Sequence, residues 1–329
     1  MSGNAAYVIG LDGGGTKTAA QIADMRGVIA AETQGGPSNF QIIGVEESAG
    51  NILDLVETCC HSVGCNISEI GSVVAGLTGA GRTADQKRIC DGIQNLAQDR
   101  GIYLQDLKIE SDARIALEAA FLGKPGIALI SGTGSMVFGK DAKGKLHRAG
   151  GWGRLIGDEG SGYHIGREAV RAAARMIDGR GKKTSLARLL ASRFGLRTQE
   201  EIIHSVYGDN LDLSSVARLV LDAARRKDKV ASAILDSAAH ELLLAVQSVL
   251  HSMGLRPGIP KKSLPLALMG GLLVSENVYA TMVRSLIRKQ LPIISIEKPA
   301  SSPVRGAIFL AIARVDERMK KANVSQTVL

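Results

Sequence analysis

Three carboxylates in this chain stand where a turn could aim them at a ligand. Asp158 lies inside Gly150–Gly166, GGWGRLIGDEGSGYHIG, beside Glu159 and downstream of Trp152, the only tryptophan. Asp12 ends the apolar run YVIGL and opens the turn Asp12-Gly13-Gly14-Gly15-Thr16-Lys17-Thr18. Asp112 follows the short apolar stretch Leu107 to Glu110 and Ser111, and precedes the helix-forming run Ala113 to Leu122. A placed carboxylate can take a proton from a reacting hydroxyl, grip hydroxyls in pairs, or hold a divalent cation. Two further glycine turns, Ser131-Gly132-Thr133-Gly134-Ser135 and Gly270-Gly271, present backbone amides of the kind that wrap phosphate oxygens.

Each residue also has a plainer reading. Asp112 at a strand–helix junction fits a helix N-cap. Asp158 stands early for a cap of the following helix, for which Ser161 is better placed. Trp152 could be core, although it stands between glycines. Asn39, in the loop GGPSNF, fits a turn residue, Glu159 a solvated loop charge and His164 a structural helix residue. Seven glycines between Gly150 and Gly166 argue against regular helix there, since each costs about 1 kcal/mol relative to alanine. The helix after them is therefore expected at Arg167 to Ile177.

The elements that must position these groups follow from periodicity. Alternation predicts strands at Tyr7 to Leu11, Thr18 to Asp24 and Val28 to Thr33, a meander whose first turn carries Thr16 and Lys17. Asp12, at the strand end, is placed to hold Mg²⁺ directly or through water. The turn is not a Walker motif, which needs a helix after the loop. A helix over Val45 to Val63, a strand over Ser72 to Leu77 ending in Thr78-Gly79-Ala80-Gly81, and a helix over Thr83 to Arg100 come next. Ile127 to Ile130, Met136 to Lys140 and Lys145 to Ala149 repeat the meander around the second glycine turn. Helices broken near Gly179, Gly195 and Gly208 fill Arg167 to Met253. Strands at Leu264 to Met269 and Ile293 to Glu297 flank a helix over Glu276 to Gln290, and a closing helix runs from Val304 to Lys320. Strands alternating with helices give an α/β chain whose ligand crevice lies at the carboxyl ends of the strands.

Composition narrows the classes. A length of 329 residues suggests about two domains. The net charge of +8 is spread among acids, and aromatics make up 3%, which gives neither a basic footprint nor stacking platforms for nucleic acid. Cys59, Cys60, Cys65 and Cys90 have neither metal-ligand nor disulfide-framework spacing and suit buried thiols in a reducing compartment. Neither a signal pattern nor an uncharged membrane-spanning run is apparent, so no membrane partner and a cytoplasmic location are expected.

Taken in order, Asp12–Thr18, Asp112, Ser131–Ser135, Gly150–Ser161 and Met269–Gly271 resemble the five landmarks of the sugar-kinase, hexokinase, actin and heat-shock-protein superfamily. GGWGRLIGDEGS resembles its N-acetylglucosamine kinase branch and the related BadF/BadG-type ATPases. The resemblance spans Tyr7 to about Leu310. It implies two ribonuclease-H-like domains flanking a cleft, with a helical insertion in the second. The first would comprise residues 1–116 and 304–329, the second residues 117–303.

The implied function is an ATP-dependent kinase of the primary hydroxyl of an amino sugar, N-acetylglucosamine before glucosamine or another hexose, acting as a homodimer. ATP would be held by Gly13, Gly14, Gly15, Thr16, Lys17, Gly132, Thr133 and Gly134, with Gly270 and Gly271 against the adenosine. The sugar would meet Asn39, Gly79, Asp112, Gly151, Trp152, Gly153 and Asp158, with Asp112 the base and Asp12 serving Mg²⁺. Two rivals lack their signatures. An electron-passing activator ATPase needs cysteines near the second phosphate loop, and none lies beyond Cys90. A sugar-sensing repressor needs an N-terminal helix-turn-helix, yet a strand already begins at Tyr7.

Overall fold

A computed structural model describes residues 6–255 and 263–327. The chain divides into two compact units, Met1–Lys124 with Pro299–Leu329, and Pro125–Lys298.

The first unit opens with the antiparallel strands β1 (Tyr7–Gly13), β2 (Thr18–Asp24) and β3 (Ile29–Gly35). The short helix α1 (Phe40–Ile43), α2 (Val45–Val63), β4 (Ile70–Leu77), α3 (Thr83–Asp99), β5 (Leu107–Ser111) and α4 (Asp112–Phe121) follow. The sheet order is β3-β2-β1-β4-β5, with β1, β4 and β5 parallel. Alternation along β1 sends Ile9 and Leu11 to a core with Ile52, Leu53 and Val56 of α2 and Ile89 and Ile93 of α3. Val8 faces the other way, towards Val74, Ile115 and Ile308. Every residue of β4 is buried, as expected for a central strand covered on both faces.

The second unit repeats this order. Strands β6 (Gly126–Ser131), β7 (Ser135–Lys140) and β8 (Leu146–Gly150) form the antiparallel meander. Five helices intervene: α5 (Gly162–Ile177), α6 (Leu186–Phe194), α7 (Gln199–Ile203), α8 (Leu213–Arg225) and α9 (Lys229–Ser252). Then come β9 (Leu264–Met269), α10 (Gly271–Val274), α11 (Val278–Gln290) and β10 (Ile294–Glu297), giving the order β10-β9-β6-β7-β8. The two sheets are copies of one plan, with the larger helical insertion in the second. By length and composition α9 would suffice to cross a membrane, although Asp236 and Glu241 interrupt it and leave no uncharged run of that length. In this fold Leu235, Leu242, Val246 and Val249 bury one face of it in the core of the second unit.

One expectation fails at α5. The helix begins at Gly162, not Arg167, and carries Gly162 and Gly166 in its first turns. A side chain at Gly162 would press on the Gly132 carbonyl oxygen, 3.0 Å away, and one at Gly166 would enter the backbone of Leu213. Close packing outweighs the low helix propensity of glycine here.

The last helix, α12 (Pro303–Thr327), returns to the first unit and packs on β1 and α4. Arg314 donates through Nε and Nη2 to the two carboxylate oxygens of Asp106, at 2.6 Å each, and Ser72 donates to the same carboxylate. Burial alone would raise the Asp106 pKa, but these partners outweigh it and hold the carboxyl below its usual range. Gly306 lets α12 lie directly on α4, since a Cβ there would enter the van der Waals shell of the Ile115 carbonyl oxygen. Gly306→Ala should therefore destabilise the first unit by about 1–3 kcal/mol, as overpacking does. A thermal melt with an unchanged midpoint would refute this contact.

Candidate active site

In the first unit, three parallel strand ends lie side by side. Asp12 pairs in register with Gly76 of β4, and Leu77 pairs with Ser111 of β5. This brings Asp12, Thr78 and Asp112 to one edge of the sheet. Ser111, not Asp112, caps α4: its hydroxyl accepts from the Arg114 amide, and Asp112 is the first residue of the helix. The Asp112 carboxylate takes the Ala113 amide on Oδ1, at 2.7 Å, and the Thr78 hydroxyl on Oδ2, at 3.0 Å. Its direction is fixed from both sides, and each oxygen keeps a lone pair for another donor.

Asp12 is half-buried at the strand end. Burial first, and the Asp112 charge second, push its carboxyl above the usual range. A part-buried carboxylate that also senses the charge of Asp112 suits a bound cation, which would relieve both effects. Asp12 therefore fits a Mg²⁺ site, with Asp112 near enough to sense the charge.

The turn after Asp12 is anchored at its base and exposed at its tip. The Gly14 amide donates to the Lys17 carbonyl at 3.0 Å, and the Gly14 carbonyl accepts from the Ser38 and Asn39 amides. Thr18 donates to Ser38 Oγ at 2.8 Å, and a side chain at Gly13 would collide with that hydroxyl. Gly15, Thr16 and Lys17 form the exposed tip, and Lys17 reaches Gln34 at 3.4 Å. Asn39 is buried, caps α1 by accepting from the Gln41 amide, and places Oδ1 3.0 Å from where a Cβ on Gly79 would stand. The structure thus brings Asn39 and Gly79 together beside the strand ends.

In the second unit the equivalent turn and the glycine-rich loop are built into one another. Gly132 donates to the Gly134 carbonyl at 2.9 Å, while the Gly162 and Tyr163 amides of α5 donate to the Gly132 and Thr133 carbonyls. Gly270 and Gly271 lie against this turn: a Cβ on Gly270 would collide with the Ser131 carbonyl, and the residue has φ +84°. Asp158 adopts φ 60°, an uncommon conformation for a residue with a side chain. Its Oδ1 accepts from the Gly153 amide at 3.2 Å, and its Oδ2 lies 2.9 Å from where a Cβ on Gly134 would stand. Burial raises its pKa, against the Gly153 and Ser135 amides, which favour the charged form.

Trp152 is not core: it is 71% exposed, together with Leu155 and Ile156 of the same loop. It borders a cavity of about 280 Å³ also lined by Met136, Glu159 and Glu241. Gly151 turns the chain into this loop with φ 70° and a carbonyl that accepts from Arg148. Glu159 is exposed. His164 accepts the Gly160 amide on Nδ1 at 3.0 Å, and burial keeps the ring neutral by lowering its pKa.

The motifs mark Ser131 and Ser135 only as the ends of the second glycine turn, and give Thr78 and Tyr279 no contact. The three hydroxyl residues near glycine turns were visible as polar strand ends. Tyr279 gave no signal, because its partner, Gly160, lies far away in sequence. The cysteines all belong to the first unit and are unpaired. Cys59 and Cys60 are buried, and burial pushes their thiols up to about 12.

Two sheets of this shared order, each with a polar glycine turn at the end of its first strand, define the actin-like ATPase architecture. The chain belongs to the BadF/BadG/BcrA/BcrD ATPase family, whose model matches residues 9–311. It is similar to an N-acetylmuramic acid/N-acetylglucosamine kinase of Clostridium acetobutylicum, with 33% identity over 94% of this chain and 99% of that protein. It is also similar to an N-acetyl-D-glucosamine kinase of Dictyostelium discoideum, with 28% identity over 92% and 97% of the two chains. Among solved structures, a candidate N-acetylglucosamine kinase of Chromobacterium violaceum superposes with a TM-score of 0.68 at 26% identity, covering 93% of this chain and 98% of that one.

The site generates a stability prediction. The Asp12 pKa is higher folded than unfolded, so the ionised carboxyl costs stability at pH 7, and that cost fades as pH falls through the folded value. Asp12→Asn should raise the melting temperature of the ligand-free protein at pH 7. The gap should narrow on acidification. An equal or lower midpoint at pH 7 would show that Asp12 carries no such strain.

Proposed function

We propose that this protein is an ATP-dependent kinase that phosphorylates the primary hydroxyl of N-acetylglucosamine, giving N-acetylglucosamine 6-phosphate and ADP. Family membership supports ATP as the donor, and the named activities of the two curated relatives support an amino sugar as the acceptor. The observation that carries the chemistry is the Asp112 carboxylate, held by Thr78 and the Ala113 amide while Ser111 takes the capping role.

In this reading the acceptor hydroxyl gives its proton to Asp112 as its oxygen forms a bond to the γ-phosphorus, and the bond from that phosphorus to the β,γ-bridging oxygen breaks. Phosphoryl transfer asks the protein mainly for alignment and charge stabilisation. For the sugar, the second unit offers Asp158, which grips hydroxyls, with Gly151, Trp152 and Gly153 beside it, and the first unit offers Asn39 and Gly79. The turns Gly13–Lys17 and Gly132–Gly134 take phosphate oxygens through amides other than those of Gly14 and Gly132, which the Lys17 and Gly134 carbonyls occupy, and Gly270 and Gly271 lie against the nucleoside. Asp12 would hold Mg²⁺, which when bound supplies positive charge against the phosphate oxygens. A homodimer in the cytoplasm completes the proposal, its assembly to be read by light scattering.

An ADP-release assay across N-acetylglucosamine, glucosamine, N-acetylmuramic acid and glucose tests the reading. Strong stimulation by N-acetylglucosamine is expected. ATP turnover that no sugar stimulates would overturn it in favour of an activator-type ATPase.

The base and the cap separate by mutation. Asp112→Asn should lower kcat by roughly 10²–10⁴-fold with little change in melting temperature. Ser111→Ala should cost about 1 kcal/mol of stability and change kcat far less. Near-normal kcat for Asp112→Asn at saturating substrates would remove Asp112 from the role.

A further inference from the structure

The peptide that follows Asp158 is clamped to the second glycine turn from several directions. Ser135 Oγ donates to the Glu159 carbonyl at 2.7 Å, and Ser131 Oγ donates to the Gly160 carbonyl at 2.8 Å. The Tyr279 hydroxyl, on α11, donates to that same Gly160 carbonyl at 2.8 Å. On the other side of the peptide, the Gly160 amide donates to His164 Nδ1, and the Ser161 amide returns to the Asp158 carbonyl at 3.1 Å. A Cβ on Gly160 would press on the Ala238 carbonyl oxygen at 2.8 Å, so the segment also lies hard against α9.

These groups are built in. Ser131 and Tyr279 are fully buried, and burial keeps the phenol protonated by raising its pKa, so it stays a donor. A buried hydroxyl with one available partner costs free energy if that partner moves away, which resists displacement of the loop. Ser131 and Ser135 are the first and last residues of the turn that holds Gly132, Thr133 and Gly134, and the two serines pair in register across β6 and β7. The hydroxyls that close the turn are therefore the hydroxyls that hold the Asp158 peptide. Gly134 itself faces the Asp158 carboxylate.

We propose that Ser131, Ser135 and Tyr279 are positioning residues that couple the second glycine turn to Asp158, so that phosphate binding at Gly132–Gly134 sets the orientation of the Asp158 carboxylate. The inference rests on the reading of that turn as a nucleotide phosphate site. Coupling inside one unit is expected to show without any sugar. It needs an arrangement that two ligands bias in common, and the shared Glu159–Gly160 peptide supplies it.

Trp152 offers the readout. It is the only tryptophan, it is exposed, and its loop is tied to Asp158 through the Gly153 amide. Titrating the wild-type protein with a non-hydrolysable ATP analogue should change Trp152 emission. In Ser131→Ala and Tyr279→Phe most of that response should be lost, while calorimetry shows that the analogue still binds. With N-acetylglucosamine present, the ratio of sugar Kd without and with the analogue should fall from about fivefold or more in the wild type towards one in the variants. A nucleotide response of wild-type size in Tyr279→Phe, which keeps the buried ring, would overturn the proposal even if Ser131→Ala failed to fold. A wild-type protein whose emission ignores the bound analogue would overturn it as well. Failure of the kinase reading would appear elsewhere, as ATP turnover that no sugar stimulates.

Discussion

A strand that pairs antiparallel on one flank and parallel on the other has to hand its chain to a turn where its neighbours also end. Strand β1 and its counterpart β6 are both in this position. At their carboxyl ends the ladder can no longer satisfy the backbone, and the parallel neighbours deliver their own ends to the same edge. The polar groups of each unit gather there as a consequence. Asp12, Thr78 and Asp112 collect at one edge, and Ser131, Gly132 and Gly270 at the other. Ligand crevices at the ends of parallel strands follow from the same geometry.

The two carboxylates with raised pKa values share a cause. Asp12 and Asp158 are both penalised first by burial. A protein selected for stability alone would have little reason to keep either, since neutral residues of similar size would remove the cost. Both lie among backbone amides or acids where a ligand could repay the desolvation. Asp158 adds an uncommon backbone conformation. Strain and buried charge in one residue, at the point where two loops interlock, mark a functional position better than either does alone.

Much of this was legible in the sequence because its signals are local. The meanders, their glycine turns and the helix Val45–Val63 follow from period-2 and period-3.6 patterns, and their ends agree with the structure to within a residue or two. The family motifs were visible because each crowds several unusual residues into a few positions. Non-local choices were not legible. Ser111 and Asp112 are both good caps, and only the fold decides that Thr78 engages the aspartate. Gly162 and Gly166 look like helix breakers until Gly132 and Leu213 are seen to press on them. Tyr279 reads as one more apolar helix position until it meets Gly160, 119 residues away.

The duplicated plan has been filled with different chemistry. In the first copy, strand ends supply the acids directly: Asp12 closes β1 and Asp112 opens the helix after β5. In the second copy the position of Asp12 is taken by Ser131 and that of Thr78 by Gly270, both neutral, while β10, the counterpart of β5, ends at Glu297. Its acid, Asp158, comes instead from the loop after β8, which no strand holds in place. A carboxylate on a strand end inherits rigidity from the sheet ladder. One on a glycine-rich loop does not, and has to borrow it. The Ser131, Ser135 and Tyr279 hydroxyls on the Glu159 and Gly160 carbonyls supply it, tying the loop to β6, β7 and α11.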